Sequence, residues 1–250
     1  MENSNNLDIS QLIKSLPEDY FATKEQIAYF QQYDACDDYL LSNALINKIW
    51  AWFKNRLANY SPIGDTDIPA SVSILHTNSG AGKILSKAPD NSTIFAYNMD
   101  YVCKRICDFV CQEKEREGKY FSFFRDISQY FVVCNTDSSR KYSIVITQPS
   151  SKLKAYKGID CVGDEESCEP LEYYVRKSMH FVEKGGYLVV VYEPKDSDKL
   201  KDIIDKTNST LESQITIPEL KYISYEAVIL RKNDTKTEFA KGGGVMSEKK

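Results

Sequence analysis

Histidine is nearly missing from this chain: His76 and His180 are the only two in 250 residues. Neither has a neighbour at ligand spacing, so no metal centre is expected. The seven cysteines are odd in number and irregularly placed, and they form no CxxC pair. A disulfide framework and a zinc ribbon are therefore not expected. Nor is there a basic surplus: 32 Lys+Arg stand against 36 Asp+Glu, a formal charge of -4. A generic polyanion binder usually has the opposite balance, so contact with nucleic acid would have to rest on a local patch. Apolar runs are short, Tyr187–Tyr192 being typical, and none approaches the length that spans a bilayer. The opening MENSNNLD has neither a basic n-region nor an apolar h-region, so a soluble, intracellular (cytoplasmic) protein is expected.

What is present is an ordinary globular composition, 42% hydrophobic and 27% charged, which excludes collagen-like, coiled-coil and wholly disordered chains. The periodicity divides the chain. Residues 1–22 and 241–250 read as tails. Residues 23–69 form a helical cap and linker: Leu40, Leu41, Leu45, Ile49, Trp50, Phe53 and Leu57 recur at three- and four-residue steps, and SPIGDTDIP (Ser61–Pro69) reads as a loop. Residues 70–240 form an α/β domain, on which Trp50 and Phe53 are expected to pack the cap. Candidate strands are Ser71–Leu75, Thr93–Asn98, Tyr130–Asn135, Tyr142–Gln148, Gly186–Glu193 and Tyr225–Arg231. Their apolar runs are continuous, as in strands covered on both faces. Helical patterns lie between them at Asp100–Arg116, Glu169–Glu183 and Ser197–Asn208. Along the first of these, Cys103, Cys107 and Cys111 recur every fourth residue and read as a buried stripe of small hydrophobes. Strands alternating with helices predict a doubly wound, mostly parallel Rossmann-like sheet of the seven-stranded type. A ligand is expected outside the carboxyl ends of its strands.

The sharpest local feature is ILHTNSGAGKIL (Ile74–Leu85), a strand end followed by Gly80 and Gly82 and then an apolar stretch. Paired glycines let the backbone approach a ligand and turn into a helix whose free N–H groups favour negative charge. Three ligands compete with a plain turn. A P-loop for ATP or GTP has Gly82-Lys83 in its favour but Thr77 at the first glycine and Ile84 at the magnesium-binding hydroxyl. A dinucleotide fingerprint lacks its third glycine, where Leu85 stands. An S-adenosylmethionine (SAM) loop takes an acid, small residues and then GxG; here His76 occupies the acid's place. The second strand ends in AYNMDY, so Asn98 or Asp100 falls about 20 residues after the glycines, where an acid would meet a ribose. Met99 would lie against an adenine ring. FVVCNTDSS then brings Asp137 just past a third strand end, and YSIVITQPS is a buried strand ending in a polar residue and a proline.

This succession resembles the N6-adenine DNA methyltransferases, a branch of the SAM-dependent methyltransferase fold, over roughly Thr23 to Lys232. YFATKEQIAYF is similar to the segment of that family that precedes the first strand and helps hold the cofactor. ILHTNSGAGKIL looks like its first motif, with aspartate usual at His76 and proline at Thr77. AYNMDY looks like the second motif, where glutamate is usual at Asn98. VITQPS looks like the catalytic (D/N/S)PP(Y/F/W) motif, with Gln148 at the polar position, Pro149 retained, and Ser150 and Ser151 replacing the second proline and the aromatic. SMHFVEKGGYLVVV matches the helix, glycine turn and fifth strand.

The resemblance implies that His76, Gly80, Gly82, Asn98, Met99, Asp100 and Asp137 hold SAM. It further implies that Gln148 and the carbonyl of Pro149 orient the amine of a flipped base. Arg140, Lys141, Lys152, Lys154 and Lys157 would flank that motif as phosphate contacts, with the acidic CVGDEESCE (Cys161–Glu169) just downstream. The departures at His76, Asn98, Gln148, Ser150 and Ser151 together imply an impaired site and a binding or scaffold role, such as the inactive partner of a true methyltransferase. The alternative is an active, divergent enzyme.

Overall fold

The computed structural model describes residues 41–57, 72–98, 101–125, 140–149, 170–217 and 225–233. The elements within them are α1 (Asn43–Leu57), β1 (Val72–His76), β2 (Ser92–Asn98), α2 (Tyr101–Val110), α3 (Gln112–Arg116), β3 (Tyr120–Phe124), β4 (Tyr142–Thr147), α4 (Pro170–Phe181), β5 (Val182–Tyr192), α5 (Ser197–Asp205), β6 (Ser209–Ile215) and β7 (Glu226–Lys232). They build one seven-stranded sheet in the order β3-β2-β1-β4-β5-β7-β6. The first five strands run parallel, and β7 is antiparallel to both β5 and β6.

Side-chain alternation divides the apolar core between the two faces. Ile74, Ile94, Ile144, Ile146, Val189 and Ile229 face one layer with Leu45, Ile49 and Phe53 of α1. Leu75, Phe95, Val145, Leu188, Val190 and Leu230 face the other, with Val175 of α4 and Ile203 of α5. Helix α1 starts where the Leu45 amide donates to Ser42 Oγ at 3.0 Å, a side-chain cap for an otherwise unpaired donor. Its Trp50 is buried and donates Nε1–H to the Ile84 carbonyl at 2.9 Å. Phe53 packs edge-on to Tyr187 of β5. The described part of the cap therefore packs directly on the sheet and on the segment after β1. No helix among the described residues is long and apolar enough to cross a membrane.

Several expectations change. No α-helix follows the glycines: between β1 and β2 only the 3-10 turn Leu85–Lys87 forms, so the expected helix terminus for an anion is not there. Two edge strands, β3 and β6, have no counterpart among the candidate strands. The candidate strand Tyr130–Asn135 lies outside the described residues. Cys103, Cys107 and Cys111 are buried as expected, and Cys107 and Cys111 are free. Cys103 is disulfide-bonded, which the cysteine spacing does not suggest.

The Gly185-Gly186 pair sits inside β5 and is not a turn before it. Pairing with β4 shifts register between Tyr142↔Val182 and Ile144↔Tyr187, so the glycines absorb a bulge. A Cβ on Gly186 would lie 2.9 Å from the Ser143 carbonyl oxygen and 3.1 Å from that of Glu183, both backbone atoms that cannot swing away. Gly186→Ala is expected to lower the unfolding free energy by about 1–3 kcal/mol, read from urea denaturation. Gly185→Ala meets nothing nearer than the Arg231 guanidinium at 3.8 Å. It should cost only about 1 kcal/mol or slightly more, from its left-handed φ of 71°.

Candidate active site at the carboxyl edge of the sheet

The carboxyl ends of β1, β2 and β4 converge, and the chain leaving β1 is tied to both neighbours. On the β4 side, the Thr77 amide donates to the Ile146 carbonyl at 3.0 Å and the Thr77 hydroxyl to Thr147 Oγ1 at 2.9 Å. Asn78 Nδ2 reaches the Gln148 carbonyl at 3.4 Å. On the β2 side, the Ser79 amide donates to the Tyr97 carbonyl at 2.9 Å. These bonds bring His76, Gly80, Gly82, Asn98 and Gln148 to one edge of the sheet, as the strand ends predict. Met99, Asp100, Asp137, Lys152, Lys154 and Lys157 lie outside the described residues.

At each of these positions the chemistry depends on where the polar atoms point. His76 has no exposed surface, and neither ring nitrogen has a partner among the described residues. Burial pushes its pKa from 6.5 down to about 3, so the imidazole is neutral. Asn98 is buried, and its Nδ2 donates to Ser79 Oγ at 2.7 Å and to the Gly80 carbonyl at 3.1 Å. A carboxylate at this position has no proton to give, so it could meet Ser79 only as acceptor of the hydroxyl and could not bond the Gly80 carbonyl. The Asn98 amide thus ties the end of β2 to the glycine segment.

Ser79 is the centre of a longer chain of contacts. Its hydroxyl lies 3.2 Å from the Tyr97 carbonyl and 3.7 Å from Cys107 Sγ of α2. The Tyr120 hydroxyl of β3 donates toward Cys107 Sγ and Asp108 Oδ1, each at 3.1 Å. Burial raises the Tyr120 pKa far above its usual value, so it stays a donor. Gly80 and Gly82 both have left-handed φ, 49° and 76°, which explains glycine at each. At Gly82 the close approach is to α2 and not to a ligand: a Cβ there would sit 2.6 Å from Cys107 Sγ and 3.1 Å from its Cα. Lys83 is buried and its ammonium donates to the Leu41 carbonyl just before α1. It therefore ties the segment to the cap and is turned away from any phosphate, contrary to the P-loop reading.

Gln148, like His76, keeps a polar atom without a partner among the described residues. It is buried, its Oε1 has no hydrogen-bond partner among the described residues, and half-buried Pro149 comes next in the chain. Sequence reasoning does not find Ser79, Cys107 or Tyr120 as members of this edge. The only available signal is the helical stripe containing Cys107. Arg140 and Lys141 are not beside Gln148. They precede β4, whose six residues span roughly 20 Å at about 3.3 Å per residue, so they lie at its opposite end.

As a test of fit to SAM, three described positions are closed: His76 offers no surface, the Gly82 cradle is filled by Cys107, and the Asn98 amide is engaged within the chain. Gly80 remains, together with positions outside the described residues.

No family model matches the chain, and no curated protein matches it in sequence. Solved structures do match in fold. A Listeria monocytogenes protein assigned to the class I SAM-dependent methyltransferases is 16% identical with a TM-score of 0.60, over 85% of this chain and 68% of that one. Magnesium protoporphyrin IX methyltransferase (ChlM) of Synechocystis, solved with bound SAM, is 11% identical with a TM-score of 0.51, over 92% and 93%. TrmN of Thermus thermophilus is 14% identical with a TM-score of 0.52, over 77% of this chain and about half (49%) of that one. With the strand order and the single antiparallel strand β7, these likenesses establish the Rossmann-like fold of the SAM-dependent methyltransferases.

Proposed function

We propose that this is a SAM-dependent-methyltransferase-fold protein related to the N6-adenine branch. In this reading its methyl-transfer site is impaired and it serves as a binding or scaffold subunit, for example beside an active methyltransferase. The observation behind this reading is the inward commitment of the carboxyl edge. Asn98 bonds Ser79 and Gly80 where the family resemblance implies a carboxylate facing a ribose. Losing such a carboxylate weakens a cofactor by about 1.5–3 kcal/mol, roughly ten- to a hundredfold. The buried His76 and the filled cradle at Gly82 act in the same direction. Fold alone does not transfer activity.

A second reading, an active but divergent N6-adenine-type enzyme, is favoured by one observation: Gln148 Oε1 is a buried acceptor with no partner among the described residues. A leftover acceptor of this kind costs about 1–3 kcal/mol unless an incoming N–H satisfies it, and an acceptor amine would do so. Calorimetric titration of the purified chain with SAM and with S-adenosylhomocysteine separates the two. The impaired reading expects no saturation below roughly millimolar ligand and no methylation of adenine in DNA or RNA. Saturable micromolar binding removed by Gly80→Val, with methylation abolished by Gln148→Ala, would establish the divergent enzyme instead.

A further inference from the structure

At the other end of the sheet, cations gather. Lys141, just before β4, donates its ammonium to the His180 carbonyl at 2.7 Å. Lys232, at the end of β7, donates to the carbonyls of Met179 at 3.1 Å and Val182 at 2.7 Å. Both therefore sit on the carboxyl end of α4, where its unpaired carbonyls favour positive charge. His180 lies at the surface among them. Its pKa is held below 6.5 by burial and then by the cations Lys177, Lys232, Lys141 and Arg176. Arg176 has a carboxylate nearby, Glu172 at 3.5 Å. Burial, followed by the charge of Lys141, lowers Lys232 to about 8. Helix capping explains where Lys141 and Lys232 point, but it does not explain Lys177 or the aromatic surface that begins next to Lys141.

That surface lies on the same side of the sheet as α4. The Arg140 guanidinium lies 4.1 Å from the ring centre of Phe95 and 5.7 Å from that of Tyr142. Phe95 in turn stacks on Phe121 of edge strand β3, with ring centres 5.1 Å apart and planes 13° from parallel. Phe121 is 43% exposed, which leaves ring surface open to a further flat partner. A row of phosphate-attracting cations leading into an arginine-aromatic stack is the arrangement that binds unpaired bases and their backbone. A duplex would hide the faces that Phe121 could take.

We propose that this face is a binding site for single-stranded nucleic acid, with phosphates on Lys141, Lys177 and Lys232 and a base stacked on Phe121 beside Arg140. The lysines lie toward the amino ends of the parallel strands and the aromatic stack lies level with Leu75, and the site does not depend on whether the carboxyl edge holds a cofactor.

The test uses the full chain and a fluorescein-labelled oligouridylate of about a dozen nucleotides, followed by fluorescence anisotropy at several salt concentrations. Saturable binding is expected, with a log–log salt slope of about -2 for three phosphates on a single strand. Lys177→Gln should reduce that slope by about 0.7. Phe121→Ala should weaken binding about fivefold to a hundredfold while leaving the slope unchanged, and Phe121→Tyr should restore it. Gly80→Val, in the glycine segment that follows β1, should have no effect. The proposal is overturned if no saturation occurs at low salt, or if Lys177→Gln and Phe121→Ala bind like the parent. Loss with Gly80→Val alone would also overturn it, since the strand would then lie at the glycine edge.

Discussion

The unfolding free energy of this protein is expected to fall by about 1.4 kcal/mol for each pH unit below 6.5, with His76 as the main cause. The sign comes from its two states. In the unfolded chain His76 takes up a proton near pH 6.5, whereas in the folded chain burial holds its pKa at about 3. Between those values the unfolded state binds a proton that the folded state refuses, so acid favours unfolding. The contribution is fully present above 6.5 and is lost progressively toward 3. By pH 5 the loss is about 2 kcal/mol, a sizeable part of the ~5–15 kcal/mol of an ordinary domain. His180 is depressed as well and adds a smaller effect of the same sign, so His180→Asn should leave most of the slope in place. His76→Leu should remove it. Because neither ring nitrogen has a partner among the described residues, an apolar side chain of similar size leaves no hydrogen bond unmade. The variant should therefore be at least as stable as the parent at pH 7 and clearly more stable at pH 5. Urea denaturation of both proteins at the two pH values decides this. A parent and variant with the same pH dependence would show that the imidazole is not held neutral.

The fold is legible wherever burial on both faces leaves a continuous apolar run. Strands β1, β2, β4, β5 and β7 appear in the sequence as SIL, TIFAY, SIVI, YLVVV and AVIL because layers cover both sides of them. The edge strands carry no such mark. In β6, STLESQI, only Ile215 is buried, and in β3, YFSFF, only Tyr120 is. The polar pattern of β6 reads equally well as loop. The bulge at Gly185 and Gly186 reads as a turn in the sequence because two glycines serve either purpose, and only the pairing of Val182 with Tyr142 and of Tyr187 with Ile144 distinguishes them.

For the site, the strand ends correctly bring His76, Gly80, Gly82, Asn98 and Gln148 to one edge, since a parallel sheet collects the carboxyl ends of its strands. The direction of each polar group is not written in the sequence. That Asn98 donates back into the glycine segment depends on Ser79 lying within 2.7 Å. That Lys83 turns toward the cap depends on the Leu41 carbonyl, 42 residues earlier. Arg140 and Lys141 are misplaced for a simpler reason: proximity in sequence to Gln148 is not proximity in space, because an extended strand separates its two ends by its whole length.

Gly82→Ala is expected to be among the most damaging single substitutions in the described chain. Two costs add. A left-handed φ of 76° costs a residue with a Cβ about 1–2 kcal/mol. The new methyl group would also stand 2.6 Å from Cys107 Sγ, 3.2 Å from its Cβ and 3.1 Å from its Cα, an overpacking worth about 1–3 kcal/mol. The sum is about 2–5 kcal/mol. The second cost is shared with Cys107, so the two positions should be coupled. Cys107→Ala removes the sulfur and the worst contact, yet the α2 backbone stays 3.1 Å away and the φ penalty is untouched. The double variant should therefore recover only part of the loss. Cys107→Ala alone should cost little beyond the weak contacts of its thiol with Ser79 and Tyr120. Thermal or urea unfolding of the four proteins gives the interaction energy directly. If Gly82→Ala were tolerated, the glycine segment would have moved off α2 and the cradle there would be open to a ligand. If the loss were large but additive with Cys107→Ala, the backbone φ and the α2 backbone, and not the thiol, would be its cause.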